Sequence, residues 1–522
     1  MGEDMRFVRD SDIEPAFGME ERSDRLTMLP QYSKEKGLVA PQFIYDALRA
    51  MSAPGRALQG QAVAPEEGLN TALEVVGGGY LPGALRKPVA GVVSSSGASP
   101  GQISTRYPTA VKATEDPLGH DLLIDRETVM QDPKSVAKIG TLLEGYPNIK
   151  PDTPENMVQQ LIEHEQKNLD FIHEQMPPEL RQRAKLWYDG ANKIANEQAT
   201  NYKTTPEVTS AVYASMSPQK DWFMNVALGD RVMDINTNQL DTVFDKGMGQ
   251  TLTRISGKLK SAPARLAMKN VVGKRLGDLE DPVDRALWIR LFDETHNSRE
   301  YNIITPEGGR GGLVMTDKDE PAKVAWGSLN EIKSAVSSMA DPSLANISRE
   351  MGVQHKVRNF YNNIFAPNSP RGEGTIDTHA IAAALMRPLA GKDAEVLQNF
   401  GSGVKKSLLD EDTGGRVPNP EFEPWMAGPP NSSITGAKGT YGLHLDALQK
   451  AAALRGHLPR EMQSITWEGV RGLFSNKSDK QKALANTIWN DYKAGKITQE
   501  HAQQLVLEAA GGMDAPAWAN TP

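Results

Sequence analysis

The chain of 522 residues contains no cysteine, which excludes disulfides, thiolate zinc sites and a cysteine-held iron–sulfur cluster. Long apolar runs are missing too. No stretch approaches the ~20 residues of a membrane-spanning helix, so no spanning segment is expected. The opening Met1-Gly2-Glu3-Asp4-Met5 has neither a cationic head nor an apolar run, so no secretory signal is expected. Positive charge is not in excess: the formal net charge is −8, which argues against indiscriminate coating of nucleic acid while leaving room for a local basic face. Hydrophobic residues make up 39% and charged residues 24%, as in a soluble globular protein. The length allows two to four domains, each able to bury a core. The expected compartment is the cytoplasm or a particle assembled there.

Strand signals are sparse, and from about Pro154 onward helical periodicity dominates, so a mainly α fold is expected. Residues 1–105 differ from the rest. Pro41 to Met51 places Phe43, Ile44, Ala47, Leu48 and Met51 on one helical face, and Glu66 to Val76 is expected to end at Gly77-Gly78-Gly79. The Ser94-to-Gly101 run reads as a linker. A helical core is expected over 106–410. Within it Met157–His173, Pro178–Ala199 and Pro206–Met216 form helices with proline at or near their starts. Tyr301–Ile304 and Gly312–Met315 are expected to form a small hairpin around the glycine-rich loop Gly308–Gly312. Residues 411–477 read as a Gly/Pro-rich linker followed by the C-terminal part of the core. Residues 478–522 read as a tail of two short helices broken near Gly495.

Chemistry concentrates in two segments, Gly352-Val353-Gln354-His355-Lys356-Val357-Arg358-Asn359 and Thr375-Ile376-Asp377-Thr378-His379. Gly352 can end one helix, and the next buries Val357, Phe360, Tyr361 and Ile364 at i, i+3, i+4, i+7. Asp377 is placed to cap the alanine-rich helix that follows, a role that by itself accounts for an aspartate there. A lysine opening one helix and a carboxylate capping the next, 21 residues on, can converge on one pocket. An amine can then attack an anomeric carbon while the carboxylate stabilises developing positive charge. A third segment, Ser217-Pro218-Gln219, interrupts two helices, as an ordinary Ser-Pro break would.

In this order the three segments resemble the helix-hairpin-helix DNA glycosylases of the endonuclease III-like superfamily. There a Gly-Val-Gly-x-Lys turn precedes Val-Asp-Thr-His, and a Leu-Ser-x-Gln step supplies a glutamine. The resemblance implies a glycosylase-like helical core, Lys356 and Asp377 as catalytic residues, and Gln219 as the wedge that fills the gap left by a flipped base. Gln354 stands where that pattern has its second glycine, and no Leu-Pro precedes the turn. The long separation from Gln219 to Lys356 implies an insertion near 234–340. The superfamily also includes phage enzymes acting on modified thymines, so either a base N-glycosylase or a thymine-modifying transferase is implied, with DNA as partner. About Pro117 to Phe474 resembles a phage-encoded domain. Ala40 to Pro82 resembles the N-termini of phage proteins packaged in virions, which implies virion proteins as partners.

Other candidates are less specific. Trp187, Tyr188 and Asn192 are expected to line a base pocket with His379, though such a helix more often belongs to a core. Arg254, Lys258, Lys260, Arg265, Lys269, Lys274 and Arg275 form a basic run without an acid, suited to a phosphate backbone or to a solvated helical face. His164 and His173, nine residues apart, fall on opposite helix faces and do not make a metal site. No metal or cofactor is expected. The competing class is a virion component, ejected with the genome, that keeps the fold for binding without catalysis.

Overall fold

Helices begin where the sequence supplies caps. The Thr153, Thr205 and Asp221 side chains accept from the backbone N–H groups of Asn156, Val208 and Met224, satisfying amides that no helical carbonyl reaches. Proline follows at N1 of the first two, where its missing N–H costs nothing. The computed structural model describes residues 133–521 apart from 317, 353–354, 370–373, 411–413, 430–438 and 476–478. The small-residue segment expected over 1–105, with its two helices and linker, lies outside the described residues, as does Gln354.

The described chain is mainly α-helical. Its helices are α1 (Pro133–Glu144), α2 (Pro154–Gln175), α3 (Pro178–Ala184), α4 (Trp187–Asn201), α5 (Pro206–Ser215) and α6 (Trp222–Asn238). Next come α7 (Lys246–Ile255), α8 (Ala262–Asn270), α9 (Pro282–His296), α10 (Leu329–Ala340), α11 (Leu344–Met351) and α12 (His355–Phe365). The last are α13 (Thr378–Leu385), α14 (Ala394–Asn399), α15 (Tyr441–Leu454), α16 (Pro459–Leu473), α17 (Asp479–Lys493) and α18 (Gln499–Ala510). One helix expected over Pro178–Ala199 is instead two, α3 and α4. The break falls at Lys185 and Leu186 without any proline or glycine, and Leu186 is left exposed.

Strand is confined to two antiparallel hairpins. β1 (Asn302–Ile304) pairs with β2 (Arg310–Leu313), joining Asn302 to Leu313 and Ile304 to Arg310. β3 (Ser407–Leu409) pairs with β4 (Arg416–Pro418) inside the stretch expected to start a linker.

Two helical groups share the interior. Around α2 lie α1, α13, α15 and α16; around α5 lie α4, α10, α11 and α12, with α9 against α10. The stretch expected as an insertion is therefore not appended to the core, because α10 packs directly on α5 and α11. The expected tail is not separate either: Trp489 of α17 is fully buried, and Gln499 and Gln503 both donate to Asn168 Oδ1, at 3.0 and 2.9 Å. No described helix is long and apolar enough to cross a membrane.

Candidate active site around Lys356 and Asp377

Helices α11 and α12 form a helical hairpin. Gly352 ends α11 at φ 65°, a left-handed angle that a side chain would resist. The buried guanidinium of Arg358 folds back and donates to the carbonyls of Gly352, at 2.8 Å, and Ser348. A cation on the free carbonyls at a helix C-terminus is favourable, so the turn is held from inside. Tyr361 and Ile364 are fully buried, and Val357 and Phe360 pack on the core beside them. That register leaves Lys356 at the first turn of α12, half-buried.

Asp377 begins α13. Its Oδ1 accepts from Ala380 N–H at 2.9 Å, and its Oδ2 accepts from Trp467 Nε1 at 3.3 Å. The residues before it are fixed by polar side chains. Asn359 donates to the Gly374 carbonyl at 3.2 Å, and Asn363 donates to Thr375 Oγ1 at 3.2 Å. Ile376 N–H donates to the Tyr441 hydroxyl at 2.8 Å, and Asn399 donates to the Ile376 carbonyl at 3.2 Å. Because Asn359 and Asn363 belong to α12, the helix that carries Lys356 also anchors the segment that aims Asp377. The two groups are thereby referred to one frame.

The Lys356 Nζ donates to the Ser217 carbonyl at 2.8 Å. Burial pulls its pKa below the usual lysine range, with Lys220 adding to the effect, while the Asp377 and Glu331 carboxylates oppose it. Gln219, two residues beyond that carbonyl, is exposed and adopts φ 58°. Amine, carboxylate and turn glutamine thus belong to one neighbourhood. His379 also borders it, with its ring edge-on to Trp467 at 5.5 Å, and Arg471 lies over the same indole at 4.4 Å.

Two members were not singled out from the sequence. Glu331, on the first turn of α10, is buried and pushed up to about 7, chiefly by desolvation and against the pull of Lys220, Arg290 and Lys356. Its only sequence signal is the Ser328-x-x-Glu331 capping box, which reads as structural. Trp467 lies 90 residues beyond Asp377, and no local pattern announces that contact.

The expected base pocket needs correction. Trp187 is 7% exposed, and its Nε1 donates to Glu468 Oε1 at 2.9 Å between Phe223 and Trp518. Tyr188 is 6% exposed and donates to Gln463 Oε1 at 2.8 Å; it backs the Thr375–Asp377 segment from inside and presents no stacking face. Asn192 donates to the carbonyls of Ile364 and Phe365 at 2.9 and 3.1 Å, closing the end of α12. All three are core or capping groups, because α4 is covered by α5, α12 and α16.

The basic run is exposed at all seven positions. Arg254 is paired with Glu294 at 2.9 Å, and Arg275 with Asp278 at 3.2 Å. Lys269 and Lys274 share a shallow groove with Asp278, Glu280, Asp281 and Asp284, so this face is mixed in sign. His164 packs edge-on to Trp489 at 4.7 Å, whereas His173 meets His457 with the two Nε2 atoms 3.0 Å apart. Among the described residues, no three His, Asp or Glu side chains converge as a metal site.

A family described only as a family of unknown function, DUF7178, matches residues 154–270. That span includes Gln219 and Lys220 and ends before Glu331, Lys356 and Asp377. No curated protein and no solved structure matches the chain.

Proposed function

We propose that this protein is a phage-encoded, DNA-base-directed enzyme of the helix-hairpin-helix glycosylase type, acting on a base extruded from DNA. The observation that carries this reading is the pairing of a desolvated amine, Lys356, with a fixed carboxylate, Asp377, across consecutive helix starts. Lowering an amine's pKa raises the fraction present as a nucleophile at neutral pH. As an N-glycosylase, Lys356 Nζ would form a bond to C1′ as the C1′–base bond breaks. The electron pair leaves with the base, which takes up a proton, and the amine gives one up. Asp377 stabilises the positive charge that builds on the sugar. Gln219 fills the vacated stack. In a thymine-modifying transferase the same amine and carboxylate serve attack at a base substituent.

The runner-up is a virion-associated DNA-binding protein without catalysis. It is favoured by the Lys356–Ser217 hydrogen bond, which a purely structural lysine also makes. Incubating the full chain with host and phage DNA, with and without borohydride, distinguishes the two. The enzyme reading expects released or altered bases by mass spectrometry, and a reduced lysine–DNA adduct mapping to Lys356 for a glycosylase. DNA binding with unchanged bases and no adduct would leave the binding protein.

A further inference from the structure

Glu331 is the buried carboxyl of this neighbourhood that the proposed chemistry has not used. Its side chain is 7% exposed, and its Oε1 accepts from Ser328 N–H at 3.0 Å. Gly327 leaves the space it occupies: a Cβ at that position would stand 2.4 Å from Glu331 Oε2. The carboxyl is therefore clamped against backbone at the start of α10 and cannot turn out to solvent without undoing a helix cap. The charged groups that face it are Lys220 from the turn after α5, Arg290 from α9 and Lys356 from α12. On the far side Lys356 faces Asp377. The amine thus stands between two carboxyls of different character: a half-buried one that takes an indole N–H from Trp467, and a buried one clamped against Gly327.

We propose that Glu331 is a positioning residue for Lys356, accepting the proton that the ammonium must lose before it attacks. The inference rests on reading Lys356 as the reacting amine. The step is a proton exchange: the ammonium N–H becomes a carboxyl O–H, leaving a neutral amine and a neutral acid, with no net change in charge. Glu331 suits the task because burial has already raised its proton affinity towards neutrality, whereas an ordinary carboxylate would hold the lysine as an ammonium. Asp377 then keeps its charge for the developing cation, so the two carboxyls divide the work.

Glu331→Gln separates this role from capping, because glutamine at N3 completes a capping box as glutamate does. The measurement is the pH profile of Lys356 acylation by acetic anhydride in the full chain, followed by peptide mass spectrometry, with thermal unfolding alongside. Loss of the facing carboxylate is expected to lower the midpoint of Lys356 labelling by about one pH unit. Labelling near neutral pH then rises about tenfold while Tm holds. Lys333, paired with Glu350 at 2.8 Å, is the internal control and is expected to be unchanged. An unmoved Lys356 midpoint in a folded variant overturns the proposal. Should the variant not fold, the wild-type profile decides: coupling predicts an added inflection near pH 7, and a single-step titration overturns it. Labelling needs no substrate, so the outcomes are distinguishable. A shifted midpoint without base chemistry would keep the pairing and sink the enzyme reading, and base chemistry without a shift would do the reverse.

Discussion

The charges buried around α2 are closed against one another, whereas those at the junction of α10, α12 and α13 are not. In the first region Glu165 and His444 meet at 2.8 Å, both essentially inaccessible, and Arg387 is paired with Glu395. The Tyr146 hydroxyl ends on Gln398 at 3.0 Å. In the second region the Lys356 ammonium bonds a neutral carbonyl, and the nearby carboxylates act on it through space. A saturated ion pair holds its protonation state over a wide pH range. An amine desolvated without a contact partner is left adjustable, which is what chemistry requires of it.

The closed region is expected to give the largest stability effects. Arg387→Met leaves Glu395 buried without its cation, and breaking such a pair costs about 3–5 kcal/mol. Urea unfolding checks this; a loss below ~1 kcal/mol would show that the pair is better solvated than its burial indicates.

Acid sensitivity should arise in the same region. His164 is held neutral by burial, its pKa lowered to about 3 from 6.5. A depressed folded-state pKa contributes stability that is whole above the unfolded value and is lost as pH falls through 6.5 towards 3. Between pH 6.5 and 5 the wild type should lose about 2 kcal/mol more than His164→Phe, at ~1.4 kcal/mol per unit. Phenylalanine keeps the edge-on contact with Trp489 but cannot take up a proton. Parallel slopes in denaturant titrations across this range would assign the acid sensitivity elsewhere.

At Asp377 the two regions are set against each other within one residue. Alanine loses the cap to Ala380 and costs roughly 0.5–2 kcal/mol, whereas asparagine caps about as well. If the carboxylate only caps, Asp377→Asn behaves as wild type in every assay. If it stabilises a transition-state cation, the variant stays folded and loses activity by a factor on the order of 10² or more. Unfolding and base-release measurements on both variants separate the two roles.

What could be read in the sequence was local. The α12 stripe, the Asp221, Ser343 and Asp377 caps and the left-handed Gly352 all follow from spacings within a few residues. The β1–β2 hairpin and the break at Gly495 were legible for the same reason. Missing were contacts between distant elements. Glu331 reaches the lysine from another helix, and its capping role already explained its presence. Glu165 and His444 are 279 residues apart. Trp187, Tyr188 and Asn192 failed for a different reason: aromatic and amide side chains on a helix look the same in sequence whether they face a pocket or a core. The neighbours that bury them are supplied by α12 and α16.

The smallest expected effect probes the turn between α5 and α6. Gln219 is exposed at φ 58°, a backbone angle that costs a non-glycine residue roughly 1–2 kcal/mol. Glycine removes that penalty but adds about 0.5–1 kcal/mol of unfolded-state entropy, so Gln219→Gly should be more stable by about 0.5 kcal/mol. The Ser217 carbonyl that receives Lys356 stays in place, so the lysine labelling midpoint should not move. A strained, exposed glutamine is hard to explain by stability, since the simpler residue is better there. If Gln219 enters the space of an extruded base, the more stable glycine variant loses activity. If the turn serves only to join α5 to α6, the variant gains stability and keeps whatever activity the wild type has. Measuring stability and base chemistry together in this one variant tells whether the strain at the rim of the site is functional.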